Sequence, residues 1–153
     1  MWKSVLVLQQ IHPCRMVVKF FDEVWNQRLF NRAHLYCNDK IACQTVRMRR
    51  VQGIDPYQQS LIDFLAPFPD GQLEIRDIAV CESSDFGLRV AVIWLMRGHY
   101  KGVPMYGPVN HAPVTILGAS HYELRDGKIL REWRIYDEVA AMAQIIRGHV
   151  AAD

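Results

Sequence analysis

Asp137 stands where an alternating run of side chains gives way to a helical pattern, four positions after Trp133. In an extended chain, residues four apart face the same side. A carboxylate there shares the surroundings of the Trp133 indole. If those surroundings are an apolar, aromatic-walled cavity, burial raises the carboxyl pKa toward neutrality and fits the group to move a proton beside a carbonyl. The same position is where a helix cap belongs, and the amides of a following helix would pull the pKa down. Both roles stay open. Trp25, Trp94, Trp133, Phe20 and Phe64 can wall such a cavity or simply pack a core. His99, His111 and His121 are spaced by twelve and ten residues, which is no metal-binding pattern, so no metal is expected. No Ser/His/Asp or Cys/His spacing and no phosphate loop is visible, and no cofactor is expected.

Periodicity sets the frame that holds these residues. Val17, Phe20, Phe21, Val24 and Arg28 form a helical stripe, and two helices are expected at about 15–26 and 28–36. A short strand fits 41–46. Asp55-Pro56 predicts a capped helix start, with Leu61, Ile62 and Leu65 inward, ended by Pro67, Pro69 and Gly71. From Gln72 the period becomes two. A bulge near Arg76-Asp77 accounts for a phase slip, and Ser83 to Gly87 reads as a turn. Leu88 to Met96 is apolar almost throughout, as in a strand buried on both faces. Residues 101–113 read as a loop and 114–124 as a strand. Asp126-Gly127 is a hairpin signal leading into a last strand, Lys128 to Tyr136. A closing helix from Asp137 to about Arg147 carries Val139, Met142, Ala143 and Ile146 on one face. Helices followed by a meander of antiparallel strands specify an α+β domain.

With 153 residues the chain suits a single domain, and residues 15–150 are read as that domain. Residues 1–14 fit poorly with the pattern of that domain and read as an arm or extension; a chain starting at Met16 is expected to fold. Eighteen basic against sixteen acidic residues give no reason to expect a nucleic-acid partner. The densest basic run, Arg47-Met48-Arg49-Arg50, reads as a solvated loop. Cys14, Cys37, Cys43 and Cys81 form no C-x-x-C pair and read as reduced thiols, with Cys43 and Cys81 buried. No apolar run approaches a membrane span, and Val5 to Leu8 is too short for a signal-peptide core. The expected compartment is the cytoplasm, with no membrane partner.

From Met16 to Ile146 the chain resembles the SnoaL-like polyketide cyclase family of the nuclear transport factor 2-like superfamily. The matching pieces stand in order: Phe21-x-x-Val24-Trp25-Asn26, Phe68-Pro69-Asp70, Trp94-x-x-x-Gly98, Tyr106-Gly107-Pro108, Leu117-Gly118-Ala119-Ser120-His121, Asp126-Gly127-Lys128-Ile129, Glu132-Trp133-x-x-x-Asp137-Glu138 and Gln144-Ile145. The resemblance implies a cone-shaped, cystatin-like roll in which a strongly bent antiparallel sheet wraps the N-terminal helices and a pocket opens at the wide end. In such cyclases an aspartate matching Asp137 acts as general acid/base, and His121 beside it could donate a hydrogen bond to a substrate oxygen. If Asp126-Gly127 is the whole turn, His121 pairs with Glu132 and lies on the sheet face away from Trp133; a bulge reverses this and puts the two on one face. The family's Gly-Thr-His-x-Gly reads Gly98-His99-Tyr100-Lys101-Gly102 here, so His99 and Tyr100 compete for one pocket-mouth position, with Tyr106 and His111 in the adjoining loop. Trp25, Trp94, His99, Tyr100, Tyr106 and Trp133 are the candidate ligand contacts.

The function this implies is a cofactor-independent isomerase, cyclase or lyase moving a proton on a small apolar carbonyl compound. The alternatives are a non-catalytic binder of a small apolar ligand and a dimerising module. Large side chains on both faces of Lys128 to Tyr136 predict a homodimer, because one face must line the cone and the other needs a cover.

Overall fold

A computed structural model describes residues 12–85 and 87–150. The arm assigned to residues 1–14, with Trp2 and Val5 to Leu8, lies mostly outside the described residues. Residues 12–14 already belong to the first helix.

Helix α1 (12–20) widens into a π turn at Phe21–Asn26, where Gln27 N–H donates to Asp22 O at 2.9 Å. The wider turn buries Phe21, Val24 and Trp25 together. Arg28 falls beyond the helix with φ 61°, and its guanidinium donates to the Trp25 and Gly71 carbonyls. A 3-10 turn, Phe30–Arg32, leads into α2 (Ala33–Tyr36) and then β1 (Cys37–Thr45), β2 (Arg50–Gln52) and α3 (Ile54–Leu65). Gly53, at φ 94°, starts α3, so Asp55 lies one residue inside the helix and makes no side-chain cap bond. Strands β3 (Gln72–Ser83), β4 (Gly87–His99), β5 (Pro113–Arg125) and β6 (Lys128–Tyr136) form the long meander, closed by α4 (Glu138–Val150).

The six strands form one curled sheet in the order β2-β1-β6-β5-β4-β3. All pairings are antiparallel except β1 with β6, which run parallel. The expected slip in β3 falls between Ile75 and Asp77. Asp126 (φ 51°) and Gly127 (φ 72°) make the tight turn, and both left-handed conformations suit that hairpin. A second slip, past Glu123, brings His121 opposite Trp133.

The helices pack into the concave face. Phe20, Trp25, Tyr57, Leu61, Val92, Trp94, Ile116 and Tyr122 are buried there. Gly118 is needed on β5 because the Trp94 ring crosses it, and a Cβ would sit 2.2 Å from that ring. Among the described residues no layer covers the other face. β4 is therefore buried on one side only, with Ala91 and Ile93 exposed, contrary to the expectation of two buried faces. Cys81 is likewise exposed, while Cys43 is buried. On α4 the residues turned inward are Ala141 and Ile145, whereas Val139, Met142 and Ile146 are exposed. Gln144 sets that rotation by accepting from Thr115 N–H and donating to Thr115 O, both at 2.9 Å. Among the described residues no helix is long and apolar enough to cross a membrane, and no cluster of metal-binding side chains occurs.

Candidate functional site

On β6 the side chains of Glu132, Arg134 and Tyr136 turn into the cone, and those of Arg131, Trp133 and Ile135 turn out. Glu132 and Arg134 are two residues apart on the inner side and form a fully buried pair. Arg134 donates from Nε to Glu132 Oε1 and from Nη2 to Oε2, both at 3.0 Å. Tyr57 donates to Oε2 at 2.6 Å and Ser120 to Oε1 at 3.0 Å, while Trp94 Nε1 donates to Ser120 Oγ at 3.2 Å. The guanidinium lies between the Trp25 ring, 4.8 Å away, and the Tyr57 ring, 5.7 Å away. Burial alone would push the Glu132 carboxyl up. The charge and bonds of Arg134, with the hydroxyls of Tyr57 and Ser120, outweigh it and hold the pKa below the ordinary value. Glu132 is thus a fixed anion and Arg134 a fixed cation. Nη1 of Arg134 makes no hydrogen bond among the described residues.

Arg134 is the floor of a cavity of about 320 Å³ at the open end of the cone. Val46, Val51, Phe64, Met105, Tyr106 and Tyr136 give it apolar walls, and Glu138, the first residue of α4, faces it. The Glu138 carboxylate is mostly shielded; it accepts from Arg47 Nε at 2.7 Å and from the Tyr106 hydroxyl at 3.1 Å. Burial, then the Glu138 charge, pushes the phenols of Tyr106 and Tyr136 up, so both remain protonated donors. Thr45 Oγ1, which is buried, lines the cavity without a partner among the described residues, and the Tyr136 side chain lines it as well.

Of the residues singled out from sequence, Trp25, Trp94 and Tyr106 belong to this interior. Tyr100 is buried beside it and pins the loop, donating to Gly107 O at 2.6 Å and accepting from Tyr106 N–H at 2.9 Å. His99 is exposed and bonds Asp70 at 2.8 Å. His121 and Trp133 stack at 5.4 Å on the convex face. Asp137 does not line the interior cavity. Its Oδ1 accepts from Ala140 N–H at 2.9 Å, capping α4, and its side borders a groove with Ile93, Leu117 and Ile135 on the convex face. Trp133 and Asp137 do share a side, but that side is outside, which is the physical reason they miss the cavity. Applied from Glu132, the same two-residue period reaches Arg134, Tyr136 and Glu138, and a Glu-x-Arg pair on one face of a strand was the available signal.

The model of the SnoaL-like polyketide cyclase family matches residues 15–145. This chain belongs to that family. Solved structures of similar fold include one assigned as a SnoaL-like polyketide cyclase from Jannaschia sp. CCS1 (19% identity, TM-score 0.76, 89% of this chain and 92% of that one). Another is a SnoaL-like polyketide cyclase from Agrobacterium tumefaciens strain C58 (23%, 0.67, 86% and 96%). A third is an LEH-like epoxide hydrolase from M. tuberculosis (16%, 0.68, 94% and 96%). At such identities the likeness concerns the fold. No curated protein matches the sequence significantly.

Proposed function

We propose that this SnoaL-like chain is a cofactor-independent enzyme that moves a proton on a small, largely apolar carbonyl compound held in the cavity above Arg134. The observation that carries the reading is the Glu138 carboxylate, which faces the same cavity as two protonated phenols and the free edge of a buried guanidinium. A carboxylate can take a proton from the carbon beside a carbonyl. Donors aimed at the carbonyl oxygen, here the Tyr136 hydroxyl and Arg134 Nη1, stabilise the negative charge that collects on it. Glu132 holds Arg134 in place and exchanges no proton itself.

The test is α-proton exchange of an apolar ketone such as 2-tetralone in D2O, followed by NMR. Glu138→Gln should slow protein-dependent exchange by about 100-fold or more while leaving ketone binding intact. Asp137→Asn should keep the wild-type rate, because that carboxylate caps a helix outside the cavity. An unchanged rate in the Glu138 variant, or a collapse in the Asp137 variant alone, removes Glu138 from the chemistry. Ketone binding without exchange in the wild-type protein would favour the non-catalytic binder instead.

A further inference from the structure

The basic run Arg47-Met48-Arg49-Arg50 forms the turn between β1 and β2, and that turn is a lip of the cavity: Arg47, Arg49 and Arg50 all line it. Its backbone is unfavourable for the residues it holds. Arg47 and Met48 occupy the two central positions with φ 59° and 56°, a left-handed pair that asparagine and glycine adopt most readily. Thr45 N–H donates to Arg49 O at 2.9 Å and Gln44 donates to the same oxygen at 3.2 Å, closing the turn. Strain kept in one place against local preference points to a use there. Arg47 is engaged by Glu138, and Arg134 by Glu132. Arg49 and Arg50 make no ion pair among the described residues, and Asp63 is the lining acid left to set against them. Deeper on the same side, the buried Thr45 hydroxyl has no partner among the described residues.

We infer that the ligand of this cavity is an apolar organic acid. Its carboxylate is held at the lip by Arg49 and Arg50, its apolar body lies between Phe64, Tyr136 and Val51, and its inner polar end meets Thr45 and Arg134. A guanidinium pair at a half-open mouth recognises a carboxylate in two-pronged fashion, while the apolar walls exclude a small hydrophilic anion. The inference rests on the cavity of the proposed function and narrows its substrate class.

Calorimetric titration of the full chain with 2-naphthoate, methyl 2-naphthoate and 2-naphthamide tests it. Naphthoate should bind at least about tenfold more tightly than the ester or the amide. That preference should fade as salt rises from about 0.05 to 0.5 M and should shrink to about twofold in the Arg49→Gln/Arg50→Gln double variant. Circular dichroism should show that variant folded as the wild type. Equal binding of acid and ester overturns the acid inference but leaves the Glu138 chemistry standing, since ketone exchange is measured independently. A full acid preference in the double variant overturns the assignment to Arg49 and Arg50. Absence of binding by all three probes overturns both the inference and the cavity as a ligand site.

Discussion

Strands β4, β5 and β6 present two faces of opposite construction. On the concave face Trp94, Ser120, Glu132 and Arg134, with Tyr57 of α3, bond one another until every lone pair of the buried carboxylate is used. On the convex face Ile93, Leu117 and Ile135 are 45%, 56% and 63% exposed, beside the stacked His121 and Trp133. The charged pair lies inside and the aliphatic stripe outside, the reverse of a simple hydrophobic rule. A buried charge is tolerated when its partner and hydrogen bonds are complete, and an apolar stripe stays outside when the described chain places no further layer on it.

The largest effect expected from breaking this contrast is on the concave side. Glu132→Ala leaves Arg134 buried without its counter-ion and should cost about 3–5 kcal/mol in urea unfolding. Replacing both partners, as Glu132→Leu with Arg134→Met, should recover much of that loss. If the single variant loses less than about 1 kcal/mol, the pair is not held as described.

On the convex side the cost should fall on association instead. The cover proposed for that face is a second copy of the chain. The apolar centre is flanked at one end by Arg89, Arg125 and Arg131 around Glu123 and at the other by Arg76 and Arg97 around Glu74, so each end offers both signs to a two-fold mate. Sedimentation should show a wild-type dimer at micromolar concentration. Leu117→Glu/Ile135→Glu should run as a monomer, and the fold stability lost beyond that dissociation should be within about 0.5 kcal/mol per substitution. A monomeric wild type ends the proposal.

The smallest effect is a difference in pH window. Arg134 and its neighbours keep the Glu132 pKa below 4.5, so its contribution is complete above 4.5 and is lost as the pH falls through the folded value. Burial, then the charge of Arg89, depresses the His121 pKa below 6.5. The unfolded chain therefore takes up that proton first, and stability falls once the pH drops below 6.5. A shallow loss of Tm between neutrality and the folded pKa of His121 should disappear in His121→Gln. An unchanged slope would assign that loss to other groups.

Much of the architecture is legible in the sequence alone. The two-residue period gave the meander from Gln72, the Asp126-Gly127 turn and the bounds of β6, because each rests on local chemistry. The cavity was harder to read. Alternation sorts Trp133 from Arg134 but does not say which goes inside, and the size and apolarity of an indole favoured the wrong side. Glu132 and Arg134 are at home only because Tyr57 and Ser120, far away in sequence, complete their bonds. The fit of Arg47 to Glu138 spans 91 positions and leaves no local trace. The outward turn of α4's apolar face depends on Gln144 gripping Thr115, another contact that helical periodicity does not contain.

The placement of Trp25 and Trp94 has an optical consequence. One indole lies 4.8 Å from the Arg134 guanidinium, and the other reaches Glu132 through a single serine hydroxyl. Indole emission responds to the field of a nearby charge. Any molecule that draws on Arg134 from the cavity changes that field at both rings, so the chain carries an intrinsic, label-free gauge of its own occupancy.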